Sequence, residues 1–231
     1  LDGPDFFMTR RIFEEILPNI YAPILSVMHC VLRLYRSAGQ DLAAGSIIDA
    51  FMVFCKNEPS RPYEALKEIE ANPEQLADLL TATIISGSHI DSTLYLSEAI
   101  RLSEDKNIEL RKHAVLSIGK INCSRCFSLI DSAYTALSHS IEIETDDQIL
   151  ANSVRSVFAL FQQNQTQETR AFTLIGSALS KGGEITLYAA SEVFGFHMGG
   201  LPVSFINLLI VHLMRVKPTN KWTLNNIDYG I

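Results

Sequence analysis

Asn107-Ile-Glu-Leu-Arg-Lys-His-Ala-Val-Leu-Ser-Ile-Gly-Lys-Ile121 decides how this chain is read. Leu110, Ala114, Ile118 and Ile121 recur at steps of four, four and three, which is one face of a 3.6-residue period. Asn107 supplies the polar start. The template returns at 147–162, where Leu150, Val154, Phe158 and Phe161 keep the same steps. Slid along the chain, its first position falls on Leu76, Leu110, Leu150 and Thr186, at offsets of 34, 40 and 36 residues. Leu80, Ala114, Val154 and Ala190 follow, and then Ile84, Ile118, Phe158 and Phe194. Another helix and a short polar turn precede each copy. A period of this size with two helices per unit predicts an α-solenoid, in which stacking buries faces that no single pair can bury.

The elements on either side fit an all-α fold with short loops. Helices are expected over 6–17, 20–37 (with Pro23 in its first turn), 41–56, 61–71, 73–86 (closed by Gly87), 90–103, 127–143, 170–180, 184–198 and 203–216. Residues 222–231 read as a further helix or an irregular tail. Pro and Gly clusters punctuate the sequence, and no period-2 run bounded by hairpin turns is present. A compact helical bundle is the alternative arrangement. The expected organisation is an N-terminal helical capping region over 1–60, helical repeats over 61–216, and a tail or the start of another repeat over 217–231. A first residue of Leu and an uncapped end suggest a region of a longer protein.

The 107–121 segment resembles the second helix of a HEAT repeat. Leu110-Arg111, Ala114 and Ile118-Gly119-Lys120-Ile121 fill that family's slots. The copy at 147–162 keeps the cap and stripe but has Ala151 where the Arg would stand. The copy at 183–198 keeps Phe194-Gly195, and the one at 73–86 rests on spacing. The resemblance implies a curved scaffold used for protein contacts, and it implies no activity.

Composition narrows the function. The 231 residues are 47% hydrophobic and 19% charged, with a formal net charge of −7. That balance disfavours a phosphate-tracking surface, which needs clustered Lys and Arg. Arg111 and Lys112 have Ala151 and Asn152 at the equivalent positions of the next copy, so no basic ridge is expected and nucleic acid is a disfavoured partner. The apolar run 205–214 is too short to span a bilayer, and no membrane partner is expected. Four cysteines are too few for a disulfide framework and suggest a reducing, cytoplasmic setting.

Catalytic and metal constellations are not found. Cys123-Ser-Arg-Cys126 is a CxxC without a second ligand pair, and Cys30 and Cys55 are expected on apolar helix faces. Of the six histidines none forms HExxH; Glu109 and His113 are spaced as a helix-surface pair, and His197 and His212 sit among apolar residues. Asp146-Asp147 reads as helix-start charge. No phosphate loop or nucleophile elbow is present. The expectation is therefore a scaffold that is not an enzyme, with no catalytic, cofactor or metal residues. It would bind a protein partner or a neighbouring domain of the same chain, on the inner row of second helices. The alternative is a nucleic-acid-binding or regulatory/sensor solenoid in a bacterial defence or repair system.

Overall fold

Three side chains fix where central helices begin. Asp91 accepts from the Leu94 amide at 2.9 Å and starts α7 (Ser92–Ser103). Asn107 accepts from the amides of Glu109 at 2.8 Å and Leu110 at 3.3 Å and starts α8 (Ile108–Lys120). Asp146 accepts from Ile149 at 3.0 Å and starts α10 (Asp147–Gln163). Each satisfies amides that the first helical turn leaves without partners.

The computed structural model describes residues 4–39, 44–124 and 126–230, all helix and connecting turns among those residues. The chain divides into two units, Leu1–Ser117 and Ile118–Ile231. The first holds α1 (Pro4–Ile16), α2 (Ile24–Ser37), α3 (Gly45–Lys56), α4 (Arg61–Ala71), α5 (Pro73–Leu76), α6 (Leu80–Ser88), α7 and most of α8. In it α2 packs on α3 and α4, α3 on α1 and α6, and α6 on α4 and α7. The second holds α9 (Phe127–Ile143), α10, α11 (Glu168–Lys181), α12 (Glu184–His197), α13 (Val203–Leu213) and α14 (Lys221–Gly230). Here α9 packs on α10 and α11, α10 on α11 and α12, α11 on α12 and α13, and α12 on α13 and α14.

All twelve positions aligned in the sequence, from Leu76 to Phe194, are buried, as are Ile121 and Phe161. The stripe is therefore the core side of each helix.

Several boundaries differ from the sequence expectation. α2 starts at Ile24, because Pro23 is extended (ψ 135°) rather than within the first turn. The helix expected from Pro73 breaks into α5, a 3₁₀ turn over Ala77–Leu79, and α6. Arg36 Nη2 donates to the Gln75 carbonyl at 2.9 Å, beside the break. Gly87 does not close that helix. It lies within α6, where a Cβ would run into the Tyr95 ring. α7 begins at Ser92 rather than 90, α13 stops at Leu213, and the segment after Pro218 is the helix α14. The expected helix start at 41 lies outside the described residues. Gly39, at φ +59°, turns the chain after α2 in the left-handed region that suits glycine.

Polar bonds inside each unit share one register. In the first, Arg36 pairs with Asp78 at 2.9 Å, Arg101 with Glu70 at 2.8 Å, and Asn107 donates to Glu74 at 2.7 Å. In the second, Arg170 pairs with Asp131 at 2.6 Å, and Lys181 donates to the Ile141 and Glu142 carbonyls that end α9. Arg215 does the same for Leu179 and Gly182 after α11. These partners lie 31 to 42 residues apart in sequence.

Asp78 is the most polarised of these groups. The His113 ring, 3.6 Å away, acts first to lower its carboxyl; burial opposes this, and Arg36 adds to it, leaving the group at about 2. Its stabilising contribution is complete above the unfolded value of about 3.9 and is lost as pH falls toward about 2. The side chain is partly solvated, so Asp78→Asn should cost under about 1 kcal/mol at neutral pH. Melting curves should show that difference shrinking on acidification.

Candidate functional site

The buried stripe of α12 uses Thr186, Leu187, Ala189, Ala190, Val193 and Phe194. That leaves Tyr188, Glu192 and Phe196, at steps of four, on the opposite face. On α10 the corresponding face carries Gln148, Asn152, Arg155, Ala159 and Gln162. On α14 it carries Trp222, Asn225 and Tyr229. Because α10, α12 and α14 pack in succession, these positions form rows across the second unit.

The middle of the face is polar and internally paired. Arg155 donates through Nε to Glu192 at 2.8 Å and through Nη1 to Asn152 at 3.2 Å. Gln148 donates to the same Asn152 oxygen at 3.1 Å. Asn226 donates to Ser191 at 3.1 Å. Arg155 and Glu192 are half-buried and pair at 2.7 Å, so their charges offset one another.

The edge of the face is aromatic and exposed. Phe196 is 57% exposed, Tyr229 73% and Trp222 74%. Phe196 and Tyr229 lie ring against ring in a tilted pair, with centroids 5.3 Å apart and planes 44° from parallel. Beside Phe196, a cavity of about 430 Å³ is lined by Phe158, Phe161, Gln162, Gln165, His197 and the Gly199-Gly200 turn. His197 lies against the Phe158 ring at 5.0 Å and 3.4 Å from the Gln162 amide. Large solvated aromatics beside satisfied polar groups are the chemistry of protein contact surfaces. Val203 and Val211 of α13, and Met214 just after it, are exposed as well.

The residues singled out in the sequence are dispersed. His197 is exposed rather than buried, and His212 is half-buried. Burial, with Arg215 adding to it, lowers the His212 pKa. His113 faces Asp78 and not Glu109, whose partner is Lys112 at 2.8 Å. Arg111 donates to the Asp105 and Lys106 carbonyls. Cys55 is buried, but Cys30 is exposed and not on an apolar face. Asp146 caps α10 as expected; Asp147 instead reaches the start of α12, accepting from Gly183 at 2.7 Å and Ile185 at 2.8 Å. Among the described residues no group of three His, Cys, Asp or Glu side chains could hold a metal ion, and no helix is long and apolar enough to cross a membrane.

Trp222 and Tyr229 were not singled out in the sequence, where their segment read as a further helix or an irregular tail; the structure makes it the helix α14. The signal that marks the face is the step-of-four run Tyr188, Glu192, Phe196, opposite the buried stripe. No protein-family model matches the chain, and no curated protein or solved structure matches it.

Proposed function

We propose that the chain is a non-catalytic scaffold of HEAT-like helix pairs. Residues of α10, α12 and α14 hold a protein partner or a neighbouring domain of the same chain. The repeat reading is supported within each unit by the alternate packing of helices and by the common register of the polar bonds. The binding reading is carried by the exposed aromatics Phe196, Trp222 and Tyr229 on successive second helices. A protein surface fits this face better than a phosphate chain, because its central cation, Arg155, is bonded to Glu192. The proposed setting is cytoplasmic, in keeping with four free cysteines.

Aromatic anchors of this kind dominate binding where they are central, and truncation of one costs about 2 kcal/mol or more. The test is affinity capture from the source cells with the wild type and with Trp222→Ala/Tyr229→Ala, quantified by mass spectrometry. Proteins held by the wild type should fall about tenfold or more with the variant, at an unchanged melting temperature. Equal recovery on both would defeat the proposal. In a gel shift at low salt neither protein should retard DNA or RNA.

A further inference from the structure

Cys123-Ser-Arg-Cys126 takes no part in the face just described. Cys126 stands at the N-cap of α9, a helix of 17 residues, and is half-exposed. Its Sγ lies 3.1 Å from Ser128 Oγ. Cys123 is buried. The Cys126 amide donates to the Cys123 carbonyl at 3.0 Å, which closes a turn between the two cysteines. A turn of this kind brings Cα atoms within about 7 Å, inside or near the range that a disulfide spans.

The segment before the turn is held from outside. Gln163, at the end of α10, accepts from the Cys123 amide at 2.8 Å and donates to the Gly119 and Ile121 carbonyls at 3.1 and 3.0 Å. One amide side chain thus fixes the backbone that carries the buried thiol, while the other thiol faces solvent at a helix start.

We propose that Cys123 and Cys126 are a reversible oxidation site, with Cys126 as the attacking thiol, Cys123 as the resolving thiol and a low-molecular-weight disulfide as oxidant. Cys126 thiolate attacks one sulfur of the small disulfide; its S–S bond breaks and one small thiolate leaves, taking up a proton. Cys123, losing its proton, then attacks Cys126 Sγ and expels the second small thiol. Two protein thiols are oxidised to one disulfide and one small disulfide is reduced to two thiols. Excess small dithiol reverses both steps.

The environments divide the roles. The Ser128 hydroxyl first, with the Leu129 and Ser128 amides, favours the Cys126 thiolate against a small opposing effect of burial, so its pKa is lowered. Burial first, and then the Cys126 charge, push Cys123 up to about 11. Attack therefore begins at Cys126, since the thiolate is the nucleophile.

The sequence itself provides the readout, because trypsin cuts after Arg125, between the cysteines. Native protein is treated with oxidised glutathione, its remaining thiols are alkylated under denaturing conditions, and it is digested. Peptides 121–125 and 126–155 should be recovered joined by a disulfide, lighter by two hydrogens than the reduced pair. In Cys123→Ser the glutathione adduct should persist on Cys126, and in Cys126→Ser position 123 should stay unmodified. Without oxidant, Cys126 should alkylate roughly tenfold or more faster than Cys123 in the folded protein. Separate, fully alkylated 121–125 and 126–155 peptides from oxidised wild type would overturn the proposal. So would linkage through Cys30 or Cys55, or a persistent Cys126 adduct in wild type. The wild-type result stands alone if either variant fails to fold.

Discussion

Gly119→Val should destabilise the protein by about 3 kcal/mol, or prevent folding. Gly119 lies near the end of α8, where the backbone of α10 crosses it. A Cβ there would collide with Ser156 Cα and lie 2.6 Å from its Cβ and 2.7 Å from its carbonyl oxygen. These are mainly backbone atoms, so no rotamer change can relieve the contact and the helix pair must open. Overpacking of a tight core costs about 1–3 kcal/mol, and the upper end applies when backbone must move. Gly195 of α12 repeats the device further along the chain: a Cβ there would run into the Asn226 carbonyl of α14. Gly176→Ala is the internal control. Its Cβ would meet only Leu208 methyl groups at 3.5 and 3.8 Å, so it should be neutral or stabilising by up to about 1 kcal/mol. Urea unfolding of the two variants beside wild type checks the ranking. A Gly119→Val protein as stable as Gly176→Ala would show that the crossing is looser than described.

Asp147→Ala should cost about 2 kcal/mol. Gly183, the N-cap residue of α12, has no side chain with which to cap, and Asp147 at the start of α10 supplies the missing acceptor. Besides the Gly183 and Ile185 amides it accepts from the Thr186 amide at 3.2 Å and the Thr186 hydroxyl at 2.5 Å. Thr186 is buried, so removal of the carboxylate leaves donors without a partner, which costs more than the bonds themselves contribute. Burial of Asp147 works against its charge, but the Thr186 hydroxyl and the amides of Ile185, Gly183 and Thr186 together outweigh it, and the carboxyl sits below its ordinary range. The sign follows directly. A group with a depressed folded value stabilises fully above its unfolded pKa of about 3.9 and loses that contribution as pH falls. The gap between wild type and Asp147→Asn should thus be full at pH 7 and close below about pH 4. A gap that stayed constant across that window would remove the carboxylate's charge from the account.

Both predictions come from contacts between helices two elements apart, α8 with α10 and α10 with α12, and the sequence showed only half of each. The stripe Leu110, Ala114, Ile118, Ile121 was legible because burial repeats with the helical period, and every aligned position is in the core. Gly119 was legible as a slot in a repeat pattern, but the Ser156 backbone that demands it was not, since a crossing distance has no local signature. Asp146 was readable as a cap from its place before an apolar run. Asp147 was not, because its partners lie 36 to 39 residues away. The break between α5 and α6 also escaped; the Arg36 bond beside it comes from 39 residues upstream. The aromatic face escaped because the segment after Pro218 read as a further helix or an irregular tail, and its packing on α12 has no local signature.

The register of the polar bonds also bears on how the chain reaches its folded state. Its long-range bonds join residues 31 to 44 apart, the widest being Gln163 to Gly119. Within each unit a newly made helix can therefore find its polar partners in the pair made just before it. Loop closures of that length differ little in entropy, so no single late closure gates the rest. On the proposed repeat reading, folding of such a unit is expected to advance stepwise with synthesis, and native-state hydrogen exchange to report openings that spread from one helix pair to the next.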